Sequence, residues 1–282
     1  MKNMVDERFE FISVIFRLAG NWEYSFTEND YQKEVAEKFA KYERHEVVEY
    51  AKNLGVGYNK VFRFSVHIEK KNDKFLFIEN LGSLYDGTWN EENTKKFLKL
   101  FNKFYVDTNY AEFFNSKIAY FEEITQNFID ETYSKIDLEW FRKYLDPSNL
   151  RCIYSPSSGN YGQTVNDKIV YCLVYGHGGA VGHEYRHSFT NPIADKWYKK
   201  NPKFKKWCDD SVNTEKMPYY NNGWIMALEY VVRSYDILYA VQHGKNFEEC
   251  LSWIRDDERE PFPYIEEVYK MVLELENENF AV

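Results

Sequence analysis

The sequence predicts an α+β fold, predominantly helical, and three observations carry that reading. Apolar residues recur at helical spacing, between capping residues and glycine stops, over most of the first half. After Asp146-Pro147 the texture changes to short β-branched and aromatic runs separated by turn formers. Beyond these runs helical patterning returns and continues to the end. The 282 residues are enough for one large domain or two modest ones. A hydrophobic fraction of 44%, with 24 tyrosines and 22 phenylalanines, predicts a largely aromatic core whose hydroxyls need partners.

The elements follow in order. Phe9, Ile12, Ile15, Phe16 and Leu18 form one helical face that Gly20 ends. A helix or helix pair spans about 29–53 and stops at Gly55. The stretch 61–68 alternates like a strand in a helical neighbourhood, so strand and buried helix both stand; His67 within it reads as a satisfied core histidine. Asp86-Gly87 marks a turn, and Asn90 caps a helix with Glu91 and Glu92 in its first turn. One long helix is expected over 110–136. Arg151-Cys152-Ile153-Tyr154 and 168–175, joined by the turn-rich 155–162, read as a β-hairpin or as two strands with a long connection. A symmetric hairpin would bring Cys152 near Cys172. Further helices are expected at about 224–243, 246–255 and 263–275. The expected organisation is one compact unit over 1–282, a helical half (1–146) wrapped against a small α+β half (147–282).

Composition and patterning also exclude classes. A net charge of −9 and the lack of a nucleic-acid-binding motif argue against DNA or RNA partners. No apolar run approaches the roughly 18 residues of a transmembrane helix. Residues 1–8 lack the apolar region of a signal peptide. The compartment stays open between cytoplasmic and, after removal of a leader, secreted or periplasmic. Cys152, Cys172, Cys208 and Cys250 form no C-x-x-C pair; disulfides are permitted, and buried free thiols are the default.

The most informative stretch is His183-Glu184-Tyr185-Arg186-His187, an H-E-x-x-H sequence. On a helix, residues four apart share a face, so both imidazoles can reach one metal ion. Glu184, beside the first ligand, is placed to accept a proton from water at that ion. Gly178, Gly179, Ala180, Val181 and Gly182 before the motif, with Ser188 and Phe189 after it, suit a packed helix rather than two surface histidines. His45-Glu46-Val47-Val48-Glu49 repeats the first half of the motif without its second histidine, inside a Lys/Glu-rich solvated segment, and reads as structural.

A zinc site on two histidines needs a third protein ligand. Thr190 and Ile193 occupy the positions where a metzincin pattern requires glycine and histidine, so that pattern is absent. The best candidate is Glu229, a carboxylate inside the apolar run Met226-Ala227-Leu228-Glu229-Tyr230-Val231-Val232, because a charge there is costly unless paired or metal-bound. Arg233, one turn later, can orient it; the alternative is a plain Glu229–Arg233 ion pair. His177, His243, Glu215 and Asp236 are weaker candidates.

With these residues in place the chain resembles the zincin metallopeptidases, and with Glu229 their gluzincin branch. It is also similar to a bacterial family of zincin-like domains of unknown function. That likeness rests on Val5-Asp6-Glu7-Arg8, Phe16-Arg17-Leu18-Ala19-Gly20, the motif with Asn191-Pro192, and Glu229 with Arg233. The resemblance implies a catalytic half with a small sheet, a helix bearing both histidines and a second helix bearing Glu229. It implies Zn²⁺ as cofactor, a peptide or protein as substrate, and an edge strand, for which 151–165 is the candidate, that binds extended peptide. Two departures stand out: Arg186 is charged where zincins usually carry uncharged residues, and no Asn-Glu-x-x-Ser-Asp segment surrounds Glu229.

The expected chemistry is zinc-assisted peptide hydrolysis with Glu184 as base. Tyr220, Tyr219 or His177 would be the oxyanion donor, and Asn160 either a substrate-backbone contact or an ordinary turn asparagine. Two other classes remain: a zinc-binding interaction protein without catalysis, and a metal-free helical binding protein, for instance for glycans. The oligomeric state is open.

Overall fold

The computed structural model describes residues 4–57, 59–157, 159–175, 179–257 and 262–280. Among them are twelve α-helices and two small sheets, of two and three strands. The predominantly helical α+β expectation holds at that level. The chain separates into two compact units, Met1–Glu184 and Tyr185–Val282. The strands after residue 150 therefore belong with the N-terminal helices, and the division falls inside the motif helix.

In the first unit, Asp6 caps α1 (Glu7–Leu18) by accepting from the Arg8 amide at 2.9 Å. Every residue from Phe9 to Phe16 is buried, so α1 is a central helix and not a surface one. Gly20 ends it with φ +84°. α2 (Asp30–Phe39) opens with a reciprocal Asn29–Gln32 capping box, and α3 (Glu46–Leu54) ends at a left-handed Gly55. The ambiguous 61–68 stretch divides: α4 (Asn59–Val66) is helical, and the chain then enters β1 (Ile68–Lys71). β1 pairs antiparallel with β2 (Lys74–Phe77) through Asn72-Asp73, both at positive φ, as a tight hairpin turn demands. His67 sits at the junction, fully buried, with Nδ1 2.7 Å from the Arg63 carbonyl and Nε2 2.6 Å from Ser83 Oγ.

Asn90 caps α5 (Glu91–Asp107), as its sequence predicts. The long helix expected over 110–136 is instead two, α6 (Tyr110–Ser116) and α7 (Ile118–Glu131), broken at Lys117. The Ser116 hydroxyl donates to the Phe113 carbonyl at 2.6 Å, a local bond that competes with the helical ladder. Phe11 anchors the aromatic core, with ring centroids 4.6 Å from Phe101 and 4.5 Å from Tyr110.

Of the two readings of 151–175, the three-stranded sheet rules out the hairpin and bears out two strands with a long connection, which itself contains a third strand. β3 (Leu150–Tyr154) and β5 (Ile169–Val174) are parallel neighbours, and β4 (Tyr161–Val165) pairs antiparallel with β5 from the other side. The tight reversal lies between β4 and β5, at Asn166-Asp167 with positive φ. The connection after β3 is tied to other elements and does not fold straight back. Ser155 Oγ donates to buried Glu10 at 2.7 Å, Ser157 Oγ donates to the same carboxyl, and Gln32 Nε2 donates to the carbonyls of Pro156 and Ser157 at 3.0 and 3.1 Å. Cys152 and Cys172 are register partners, as free thiols on parallel strands.

The second unit contains the later turns of α8 (Gly179–Lys200) with α9 (Pro202–Asp210), α10 (Gly223–Gln242), α11 (Phe247–Arg255) and α12 (Ile265–Phe280). α10 is the central helix, packed by α9, α11 and α12. Its buried hydroxyls find partners: Tyr230 with Ser211 at 2.7 Å, and Tyr235 donating to Glu276 at 2.8 Å. Among the described residues, no helix is long and apolar enough to cross a membrane.

Candidate metal centre

The H-E-x-x-H residues lie in α8, as the motif requires. His183 and His187 are one turn apart on this continuous helix, and Glu229 comes from the buried middle of α10. One ligand atom from each of the three lies within 4.8 Å of the others. His187 Nε2 is 3.6 Å from Glu229 Oε1. That is longer than a good hydrogen bond. It is close to the roughly 3.3–3.5 Å that separates two ligands at about 2.1 Å from one tetrahedral ion. Two imidazoles and one carboxylate are also a ligand set that zinc takes in catalytic sites. The donor types and the His187–Glu229 separation are compatible with a zinc ion, with His183 within 4.8 Å of both.

The supporting contacts orient these ligands. His187 Nδ1 is 2.9 Å from Asn191 Oδ1, one turn on along α8. With its proton on Nδ1, donated to Asn191, His187 keeps the Nε2 lone pair for the metal side. Glu229 is 9% exposed, and Arg233 Nε stands 3.5 Å from its other oxygen. Arg233 is itself held, with its guanidinium 4.5 Å from the Phe262 ring centre and Nη2 donating to the Tyr220 hydroxyl at 3.3 Å. Tyr220 thus meets Arg233, while Tyr219 is exposed.

Glu184 is 8% exposed and lies against the sheet. A Cβ at Gly162 of β4 would stand 2.7 Å from the Glu184 carbonyl oxygen and 3.2 Å from Oε2. The edge strand therefore passes Glu184 at a distance that only glycine permits. Asn160, expected as a substrate contact, accepts a hydrogen bond from the Tyr175 amide at 3.1 Å and ties the approach to β4 to the end of β5. His177 lies outside the described residues.

Arg186 is 4% exposed. Its Nη1 donates to Asp236 at 2.8 Å, and its guanidinium lies 4.4 Å from the Tyr239 ring centre. The charge that departs from the zincin pattern is thus a pin between α8 and α10, and it removes Asp236 from the ligand candidates. Glu215 is exposed. His243 caps α10 and stacks on Tyr239, ring centres 4.0 Å apart. His45 caps α3 and pairs with Asp107 at 2.9 Å, so the half-motif is structural. The sequence signal for the role of Asn191 is its place four residues after His187.

Comparison with protein-family models, with curated proteins and with solved structures gives no match.

Proposed function

We propose that this protein is a zinc-dependent hydrolase of peptide bonds, a metallopeptidase of zincin-like chemistry. The observation that carries the reading is the convergence of His183, His187 and Glu229 ligand atoms within 4.8 Å, with an acid inside the histidine pair. In this reading the three side chains hold Zn²⁺. When bound, zinc supplies a Lewis acid that polarises the scissile carbonyl and acidifies water. Glu184 takes the proton of the attacking water and passes it to the leaving amine. Arg233 fixes the carboxylate of Glu229, and Asn191 fixes the tautomer of His187. Gly162 lets the edge strand run beside Glu184, where an extended peptide would add as a further strand.

The test is cleavage of a mixed peptide library by the zinc-loaded protein and by Glu184→Gln. The expected result is cleavage by the parent and none by the variant, with zinc retained in both. Equal cleavage by both, or none by the zinc-loaded parent, contradicts the reading; zinc held without cleavage would favour a non-catalytic zinc-binding protein.

A further inference from the structure

A cavity of ≈ 390 Å³ opens in the first unit, lined by Tyr120 and Ile124 of α7, Tyr154 of β3, Pro156, Tyr175 and Glu28. Its volume lies within the range of ligand-binding pockets. The walls are held from behind. Tyr154 stacks on Phe128 with centroids 4.5 Å apart, and Tyr120 on Tyr31 at 5.8 Å. Asn29 Nδ2 donates to the Pro156 carbonyl at 3.0 Å, beside the Gln32 bond to the same oxygen. The Tyr175 hydroxyl donates to Glu28 Oε2 at 2.8 Å, which places a carboxylate at the rim of the aromatic walls.

Carboxylates stand near the phenols, Glu28 at Tyr175 and Glu131 at Tyr154. Burial pushes Tyr120 up to about 12, assisted by Glu10 and Asp30. Burial also raises Tyr154, with Glu131 adding to it, and Tyr175, with Glu28 adding to it. All three rings are therefore neutral phenols, with electron-rich faces and carboxylates near them. Such a setting attracts a cation over the rings. An apolar guest would offer Glu28 no countercharge.

The cavity also has a place along the sheet. Tyr154 ends β3 opposite Val174, and Tyr175 follows Val174 directly. Gly162, the residue against Glu184, pairs with Cys172 on the same β5. Tyr175 is three residues beyond Cys172, roughly 10 Å at about 3.3 Å per residue. The sheet order β3-β5-β4 sets the cavity on the β3 side of this end, so a peptide laid along the free edge of β4 would pass about 14 Å to the side of Tyr154 and reach it only by crossing the end of β5.

We propose that the cavity of Tyr120, Tyr154, Tyr175 and Glu28 is a subsite for a lysine or arginine side chain of an extended peptide. That the peptide is a substrate rests on the metallopeptidase reading; that the cavity takes a basic side chain does not. Binding is therefore measured without turnover, on zinc-free protein, by fluorescence anisotropy. The probes are labelled octapeptides identical except for one central residue: arginine, lysine or norleucine. The arginine and lysine peptides are expected to bind about tenfold tighter than the norleucine peptide. Glu28→Gln, an exposed and isosteric change, should shrink that ratio to about twofold, and Tyr120→Leu should do the same through the ring. Equal affinity for all three peptides, no binding of any of them, or a ratio unchanged in both variants overturns the proposal. Basic preference in binding with no cleavage by the zinc-loaded protein would remove the peptidase reading and leave the subsite standing.

Discussion

Arg186 Nη1 donates to Asp236 Oδ1 at 2.8 Å, joining the residue before the second motif histidine to the helix that carries Glu229. The arginine side chain is 5% exposed and the aspartate 27%. Removing one partner takes a close opposite charge away from the other, which costs more than the intact pair contributes. Asp236→Asn should therefore destabilise the fold by about 2–3 kcal/mol in urea unfolding. Replacing both residues by apolar ones of similar size, Arg186→Met with Asp236→Leu, should recover most of that loss. A single variant as stable as the parent would show that the pin carries no load.

Asn191 acts on His187 through Nδ1, 2.9 Å away. Loss of such an orienting bond typically weakens metal affinity about 10–100-fold. Asn191→Ala should show that loss in a competition titration with a zinc chelator, while its unfolding midpoint in the metal-free state stays near the parent's. Unchanged zinc affinity would assign Asn191 to the helix alone.

Gly162→Ala would press a methyl to 2.7 Å from the carbonyl oxygen of Glu184, a backbone atom that cannot swing away. Either β4 or α8 must shift, at a cost of about 1–3 kcal/mol. Urea unfolding measures that cost. The proposed peptide-cleaving activity should fall more steeply than stability, since Glu184 is the group displaced. A stable variant of full activity would mean that the edge strand has room to spare.

Glu10 is fully buried and accepts from Ser155 and Ser157, yet burial outweighs these bonds and pushes its carboxyl up to about 7. Asp6 adds to the shift by repelling the ionised form. A carboxyl with a raised folded-state pKa contributes stability that is fully present below its unfolded value near 4.5. That contribution is lost as pH climbs through about 7. Between pH 4.5 and 8 the parent should lose up to about 3 kcal/mol relative to Glu10→Gln, read from paired urea curves. Parallel pH profiles would place the ionised carboxylate comfortably in its site.

What the sequence disclosed was mostly local. Gly20, Gly55 and Asn90 act at the positions where their backbone or capping chemistry is needed, and α10 and α11 follow their periodicity closely. The motif and Glu229 were legible because a helix fixes the spacing of two histidines and an apolar helix makes a lone carboxylate conspicuous. What failed was non-local. The parallel pairing of Cys152 with Cys172 depends on α1 and α2 holding the Ser155-Pro156-Ser157 connection, through partners more than a hundred residues away. Arg186 looked like an anomaly because its partner, Asp236, lies fifty residues further on. The break at Lys117 leaves the apolar spacing on either side nearly in phase, so periodicity does not register it.

The central claim is that His183, His187 and Glu229 hold one zinc ion. The direct measurement is metal content by mass spectrometry of the protein after reconstitution at neutral pH, beside His187→Ala, with chelator-induced melting shifts on both. About one zinc per chain is expected in the parent and none in the variant. Stripping zinc present at about 100 times its Kd should cost the parent about 2.7 kcal/mol, a fall in Tm of roughly 5–10 °C, and leave the variant unmoved. A parent that takes up no zinc, or a variant that holds it as well as the parent, would contradict the claim.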